Sequence, residues 1–379
     1  MATNDVLIVG GGVGGTIVAN LVVKEAGAGA RVTLLDATGT HVYQPGFLYV
    51  AVGQEKPENL SRDERTLLRD EVKLVVDRAT FVNTDSKKVV LASGRTLRYD
   101  ELVLATGSRT VPEEIPGGTA AHNFYTLDGA IGLHRALEQF DRGTIVIGVA
   151  GIPYKCPPAP VEFAFLLDDY LRARHIRQKA EIKLLSPLNR AFTIEATSKL
   201  VHPILAERGI ELTGFFNVET VDPIAKTVTS LEGETVGYDL LVLVPPHRGA
   251  KLIEDSKLGD ARGWIPVDKN TLKHCDFADI WAIGDATNIP ISKSGSVAHY
   301  EATVCAAEIV AAVRGEPAPA HLYDGKVMCF LETGQGQATT IRFDYDHPPV
   351  SPNPSHLWHW AKLLFNKTYW HTVPQGRLP

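Results

Sequence analysis

Two stretches of this chain repeat each other at a spacing of about 139 residues, and this repeat restricts the fold more than any other feature. Lys87 to Gly107, KKVVLASGRTLRYDELVLATG, is echoed by Lys226 to Pro246, KTVTSLEGETVGYDLLVLVPP, with Gly94 matching Gly233, Tyr99 matching Tyr238 and Asp100 matching Asp239. Each copy reads as two short strands around a glycine turn, then a buried Leu/Val strand. Upstream of each lies a strand, a glycine-containing turn and a helix, starting at Asp5 and Thr144, where an offset of 138 sets Gly10 on Gly148. A second strand follows in both, ending at Asp36 and Ser186. These are two dinucleotide-type βαβ units. The second is inserted into the first, because a closing strand (Asp279 to Ala286) and a helix from about Ala298 to Val313 come after it.

The expected fold class is therefore α/β, with two Rossmann-like dinucleotide-binding domains. The first spans 1–110 and 250–320 and the second 111–249. A C-terminal segment, 321–379, has strands near Val327 to Leu331 and Thr339 to Phe343 and ends in an amphipathic helix.

The first unit carries Gly10, Gly11, Gly12, Gly14 and Gly15, with Gly10, Gly12 and Gly15 at the GxGxxG positions between a Val/Ile strand and a helix. Such glycines let the backbone approach a pyrophosphate at the positive end of the helix, and Asp36 ends the next strand where an acid can accept the ribose hydroxyls. No arginine stands beside Asp36, so an unphosphorylated ribose is expected. In the second unit Ala150 and Pro153 fall on Gly12 and Gly15, and Ser186 replaces the acid. A proline removes an N–H donor and fixes φ. This second nucleotide site reads as abandoned.

The 379 residues carry 38 basic and 44 acidic side chains, a net charge of −6, with no basic block to follow a phosphate backbone. Nucleic acid is not an expected partner. The apolar start, Val6 to Val9, runs straight into glycines and reads as a strand and not as a signal peptide. No run approaches the ~18 apolar residues of a membrane span. Neither metal-ligand spacing nor Gly-x-Ser-x-Gly occurs, so no metal is expected.

Four cysteines are too few for a disulfide framework. Cys156 stands just ahead of a helix and beside Lys155, a setting expected to lower its thiol pKa. Cys329, in KVMCFLETG, is the second candidate; the alternative for each is an inert buried cysteine. Cys305 and Cys275 read as small core residues.

TLRYDELVLATG, with Ala105, Thr106 and Gly107, and IWAIGDAT, with Gly284 and Asp285, resemble the second and third FAD motifs of the glutathione-reductase-like flavoproteins that hold two dinucleotide domains. That resemblance implies FAD, with Asp285 at its ribityl or pyrophosphate region. It also brings Lys293, Ser294 and Gly295, at the start of the Ala298 helix, against the flavin ring. The alternative for Lys293 is a solvated loop lysine. KCPPAPVE, CFLETG, PISKSG and YQPGF (Tyr43 to Phe47, with Gln44 and Pro45) resemble the sulfide:quinone oxidoreductases, a family related to flavocytochrome c sulfide dehydrogenase and to type II NADH dehydrogenases.

The resemblance implies that Cys156 and Cys329 form a redox-active, sulfur-bridged pair on one face of the flavin. Sulfide would be the donor, with quinone on the opposite face as acceptor near Phe330, Trp358 and Phe365. Many members carry a third cysteine that can bind FAD covalently; here Tyr125 stands at that place, so FAD is expected to be non-covalent. Glu162 is a candidate proton acceptor or a plain helix N-terminal carboxylate, and His202 a proton shuttle or a surface histidine. Rival readings are delivery of electrons to a cytochrome, NADH:quinone oxidoreduction, and a flavin and cysteine redox sensor without turnover.

In HLWHWAKLLFNKTYW, Leu357, Trp360, Ala361, Leu364 and Phe365 recur at helical spacing, with His359, Lys362, Asn366 and Lys367 elsewhere. The pattern suits an interfacial helix on the cytoplasmic membrane surface or a packing helix within a homo-oligomer. Because the stripe lies outside both nucleotide units, truncation before His356 is expected to leave FAD binding and sulfide-driven flavin reduction intact and to weaken membrane association; a helix that packs inward would instead expose the core when removed.

Overall fold

The computed structural model describes residues 3–377. The first unit is a five-stranded parallel sheet in the order Ile280–Ala282, Glu101–Leu104, Asn4–Val9, Ala30–Asp36 and Lys73–Val76. Its central strands carry buried apolar runs, Val6 to Val9 and Leu102 to Leu104, because both faces are covered there. The second is a four-stranded parallel sheet in the order Ile210–Thr213, Ala180–Leu185, Gly143–Val149 and Leu240–Val244. Ile280–Ala282 joins the first sheet after the whole second sheet has been built, which is the topology of an insertion. The observed strand is shorter than the expected Asp279 to Ala286 because the chain turns at Gly284 (φ 70°).

The repeat is structural. Each copy is a three-stranded antiparallel excursion, one strand more than expected: Ala79–Asn83, Lys88–Leu91 and Thr96–Arg98, then Val218–Asp222, Thr227–Ser230 and Thr235–Gly237. Lys87 and Lys226 both take positive φ, 50° and 53°, as do Gly94 and Gly233, 83° and 86°. The Asp100 carboxylate accepts the Asp5 amide at 2.7 Å, and that of Asp239 accepts the Thr144 amide at 2.8 Å. The paired Tyr-Asp of the repeat thus ties each excursion to the start of its sheet's central strand.

Strand register corrects one alignment. Val6 pairs with Glu101 and Ile145 with Leu240, so the offset stays at 139 through the central strands. Gly10, Gly12 and Gly15 therefore correspond to Val149, Gly151 and Tyr154, not to Gly148, Ala150 and Pro153. The fingerprint is still broken, at its first and third positions. The helix after it, α2 below, begins only at Ala159, where the same offset would start it at residue 152. Cys156 lies in that extra turn.

Four helices position the site. Helix α1 (Val13–Ala26) follows the first fingerprint, α2 (Ala159–Ala173) follows Cys156, α3 (Gly295–Arg314) packs along α1, and α4 (His356–Thr372) closes the chain against the hairpin Val327–Gly334 and Gln337–Phe343. Among the described residues α3 alone is long and apolar enough to cross a membrane, contrary to the expectation that no such segment exists. Most of it is buried, which makes it a core helix.

Candidate functional site

The first fingerprint has the geometry of a phosphate cradle. Gly10 has φ of 109°, and a Cβ on Gly15 would sit 1.9 Å from the Gly10 carbonyl oxygen, so backbone crosses backbone with no room for a side chain. Gly12 caps α1 without a side-chain partner for its first turn, and the space where a Cβ would project from it is open. Gly15→Ala should therefore abolish FAD retention and destabilise the fold by about 1–3 kcal/mol. Flavin-to-protein ratio after gel filtration checks it, and full occupancy would contradict it.

Asp36 accepts the Gly11 amide at 2.9 Å and the Thr38 and Gly39 amides at 2.8 Å each. Burial opposes its ionisation, but these donors outweigh it and hold the carboxyl below its usual range. The second unit has no counterpart. Ser186 Oγ donates to the Arg190 carbonyl at 2.6 Å and accepts the Leu188 amide at 3.2 Å, so its hydroxyl is already used within its own turn.

Among the described residues Thr106 Oγ1, Ser108 Oγ, Tyr125 Oη and His247 Nε2 are buried and lack partners, with Tyr125 close to Cys156 and His247 close to Lys155 and Lys293. Buried polar atoms are ordinarily satisfied, so four such orphans fit a polar ligand. With the open Gly12 cradle and the ionised Asp36 they fit FAD. Gly10 to Gly15 would hold its pyrophosphate and Asp36 a ribose, with Ala105 to Gly107 and Gly284 to Gly295 further along it.

Asp285 is half-buried, and desolvation raises its carboxyl against the pull of Lys155 and Lys293. Lys293 is no solvated lysine. Its Nζ donates to the carbonyls of Asp285 (3.1 Å) and Thr287 (2.5 Å) and lies 4.0 Å from the centre of the Trp264 ring. Ser294 caps α3 by accepting the Val297 amide, and Gly295 begins the helix.

The Lys293 carbonyl accepts the Cys156 amide at 2.6 Å, tying the cysteine turn to the start of α3. From the same direction Ser296 Oγ approaches Cys329 Sγ at 3.8 Å. Cys156, with φ of 55°, and Cys329, on the Val327–Gly334 strand, are free, half-buried thiols close enough for the charge of one to act on the other. Lys155 donates to Gln44 Oε1 at 2.9 Å, which draws the Gln44–Pro45 turn to the site.

The expected low thiol pKa is overturned. Burial first, and then the neighbouring Cys329, push the Cys156 thiol far above the ordinary thiol range, and burial raises Cys329 as well. Two prolines intervene before α2 begins, so Cys156 does not enjoy a helix N-terminus. Cys305 is buried as expected, but Cys275 is exposed and is not a core residue.

Both thiols share a partner that composition does not reveal. Glu162, in the first turn of α2, forms a buried ion pair with Lys362 of α4. Burial raises the Glu162 carboxyl despite Lys362; burial also opposes the Lys362 ammonium, but Glu162 and Glu332 outweigh it and keep it charged. His202 stands apart, exposed on the Glu195–Glu207 helix beside a recess lined by Arg190 and Lys199. Phe330 and Phe365 face each other at 6.2 Å between ring centres, while Trp358 packs under Arg342.

Helix α4 is inverted relative to the usual soluble pattern. His359, Lys362, Asn366 and Tyr369 point inward, to Glu332, Glu162, Tyr43 Oη and His41 Nε2. Leu357, Trp360 and Leu364 are 70, 65 and 64% exposed. The polar residues at 359, 362, 366 and 369 follow a helical period of their own, the signal that could have marked an inward face. The helix packs inward, so truncation before His356 would strip partners from buried Glu162, His41 and Tyr43.

Comparison with known proteins agrees with this architecture. The chain is 26% identical to the mitochondrial sulfide:quinone oxidoreductase of Mus musculus, over 92% of this chain and 80% of the mouse protein. It is 25% identical to the Dictyostelium discoideum protein of the same name, over 98% and 86%. The crystal structure of the sulfide:quinone oxidoreductase from Aquifex aeolicus superposes with a TM-score of 0.88 at 24% identity, covering 100% of this chain and 93% of that one. The pyridine nucleotide-disulphide oxidoreductase family profile matches residues 4–307. With its inserted second sheet, its dinucleotide cradle and its cysteine site, this chain belongs to the pyridine nucleotide-disulphide oxidoreductases and is an oxidoreductase.

Proposed function

We propose that this protein oxidises sulfide to zero-valent sulfur or polysulfide at Cys156 and Cys329 and passes the electrons to a quinone at a membrane surface. The observation that carries this reading is the meeting of two cysteines from distant parts of the chain over one buried ion pair, Glu162–Lys362. Relatives named for sulfide and quinone chemistry over nearly the whole chain support it.

In the oxidised state HS⁻ attacks one sulfur of the cysteine bridge. A new S–S bond forms, the bridge bond breaks, and a persulfide remains on one cysteine with a thiolate on the other. Bound FAD supplies the two-electron carrier between sulfur and quinone. Glu162 lies where it can accept the proton released by the attacking HS⁻, and the Lys293 carbonyl holds the Cys156 turn in place. Further HS⁻ would lengthen the sulfur chain until it is released.

Donor choice tests the reading directly. Micromolar sulfide should bleach the flavin of the anaerobic protein within seconds, and NADH should leave it oxidised over minutes, since Val149, Tyr154 and Ser186 deny a second nucleotide its cradle. Rapid bleaching by NADH with none by sulfide would move the assignment to NADH:quinone oxidoreduction.

The outward face of α4 supports peripheral attachment to a membrane. Changing Leu357, Trp360 and Leu364 to serine together should weaken liposome binding by about tenfold per side chain and leave sulfide-driven bleaching intact. Unchanged flotation of the triple variant with liposomes would remove the anchor.

A further inference from the structure

Ionised groups are seldom buried, because stripping water from each costs several kcal/mol, yet a series of them runs from the cysteines to the edge of α4. Glu162, beside both thiols, pairs with Lys362. The Glu332 backbone amide faces the same Glu162 carboxylate, and the Glu332 carboxylate acts on Lys362. Glu332, 1% exposed, accepts Tyr49 Oη at 2.9 Å and meets His359 Nδ1 through both oxygens, at 3.1 and 2.9 Å. The His359 side chain is 23% exposed, with the Trp360 ring 5.7 Å from its own, centre to centre, and is where the series meets solvent.

The chemistry of the proposed reaction requires such a route. HS⁻ + H⁺ + Q → S⁰ + QH₂ balances in atoms and charge: sulfide gives up two electrons and one proton, and the quinone takes two of each. The second proton must enter from outside a site that is otherwise buried.

We propose that His359 and Glu332 form the inlet for that second proton. Uptake at Nε2 of His359 lets Nδ1 release a proton to Glu332, and water between the Glu332 carboxylate and Lys362 carries it on to reprotonate Lys362 after its ammonium has given a proton to the reduced quinone. The inference rests on the sulfide:quinone reading. His359 and Glu332 act through Lys362 and are positioning residues, with no assigned contact to substrate. A purely structural use of the same contacts would stabilise α4 without carrying protons, and the test separates the two.

The test uses the flavin-loaded protein and its Glu332→Gln, His359→Ala and His359→Gln variants, each reduced chemically with dithionite, freed of excess reductant and mixed with a short-tailed quinone in a stopped-flow instrument. Flavin absorbance and proton uptake, the latter read with an indicator dye in weak buffer, are followed together. Both should slow by at least ~10-fold in all three variants, a smaller loss than the ~10²–10⁴-fold of a group that exchanges protons with the reacting atoms themselves. Added imidazole should restore several-fold of the rate to His359→Ala alone, and bleaching of the oxidised variants by sulfide should stay within about twofold of the parent, because that half needs no inlet. Reoxidation near the parent rate in all three variants overturns the inlet, as does slowing that imidazole does not relieve and that tracks a lower melting temperature. Failure of the reduced parent protein to pass electrons to quinone overturns the sulfide:quinone reading and the inlet with it.

Discussion

Cys156→Ser or Cys329→Ser will each lower sulfide-dependent quinone reduction by at least about a thousandfold, the scale on which loss of a covalent nucleophile acts. The two losses should not add, because a bridge needs both sulfurs, and the double variant should be no slower than either single one. Cys305→Ser and Cys275→Ser should keep most of the rate, since one is enclosed in α3 and the other is exposed on a loop. Each variant is assayed for flavin content and for sulfide-driven bleaching before quinone is added. More than a tenth of the parent rate in Cys156→Ser or Cys329→Ser would remove the bridge from the reaction.

The second large effect concerns stability. Lys362→Met leaves the Glu162 carboxylate buried without its partner, and Glu162→Gln does the same to the ammonium. Each should cost about 3–5 kcal/mol, whereas changing both together should recover much of the loss, since two uncharged side chains need no mutual compensation. Urea unfolding of the three variants checks this through the transition midpoint at unchanged slope. A double variant as unstable as the sum of the single ones would mean that the two residues contribute independently.

Much of the fold was legible because parallel sheets announce themselves. Both central strands hold buried apolar runs, Val6 to Val9 and Ile145 to Ile147, and Asp100 and Asp239 recur because each ties an excursion to its sheet in the same way. The cradle was legible too, since Gly10 and Gly15 stand where no Cβ fits. The register of the second fingerprint was not: composition cannot distinguish Gly148 from Val149 as the partner of Gly10, whereas hydrogen-bonded strand pairing can.

The environment of Cys156 was misread because a neighbouring lysine in sequence says nothing of where its ammonium goes, and Lys155 goes to Gln44. The inward placement of Lys362 and His359 is not legible in the sequence, because polar side chains usually face water. Their partners, Glu162 and Glu332, lie 200 and 27 residues away and appear only when the chain is folded.

The inward face of α4 has a consequence for how the chain is made. His41 and Tyr43 find their partners in Tyr369 and Asn366, 328 and 323 residues later, and Asn20 donates to the Pro374 carbonyl, 354 residues later. A ribosome delivers the N-terminal sheet long before these partners emerge. Until α4 and the turn after it clear the exit tunnel, His41, Tyr43 and Asn20 stand in a half-built interior with unmet hydrogen bonds, each worth about 1–3 kcal/mol when left unsatisfied. The first sheet begun is therefore completed only by α4, and a chain that stops before His356 would carry every glycine of the cradle without the partners that close the interior around it.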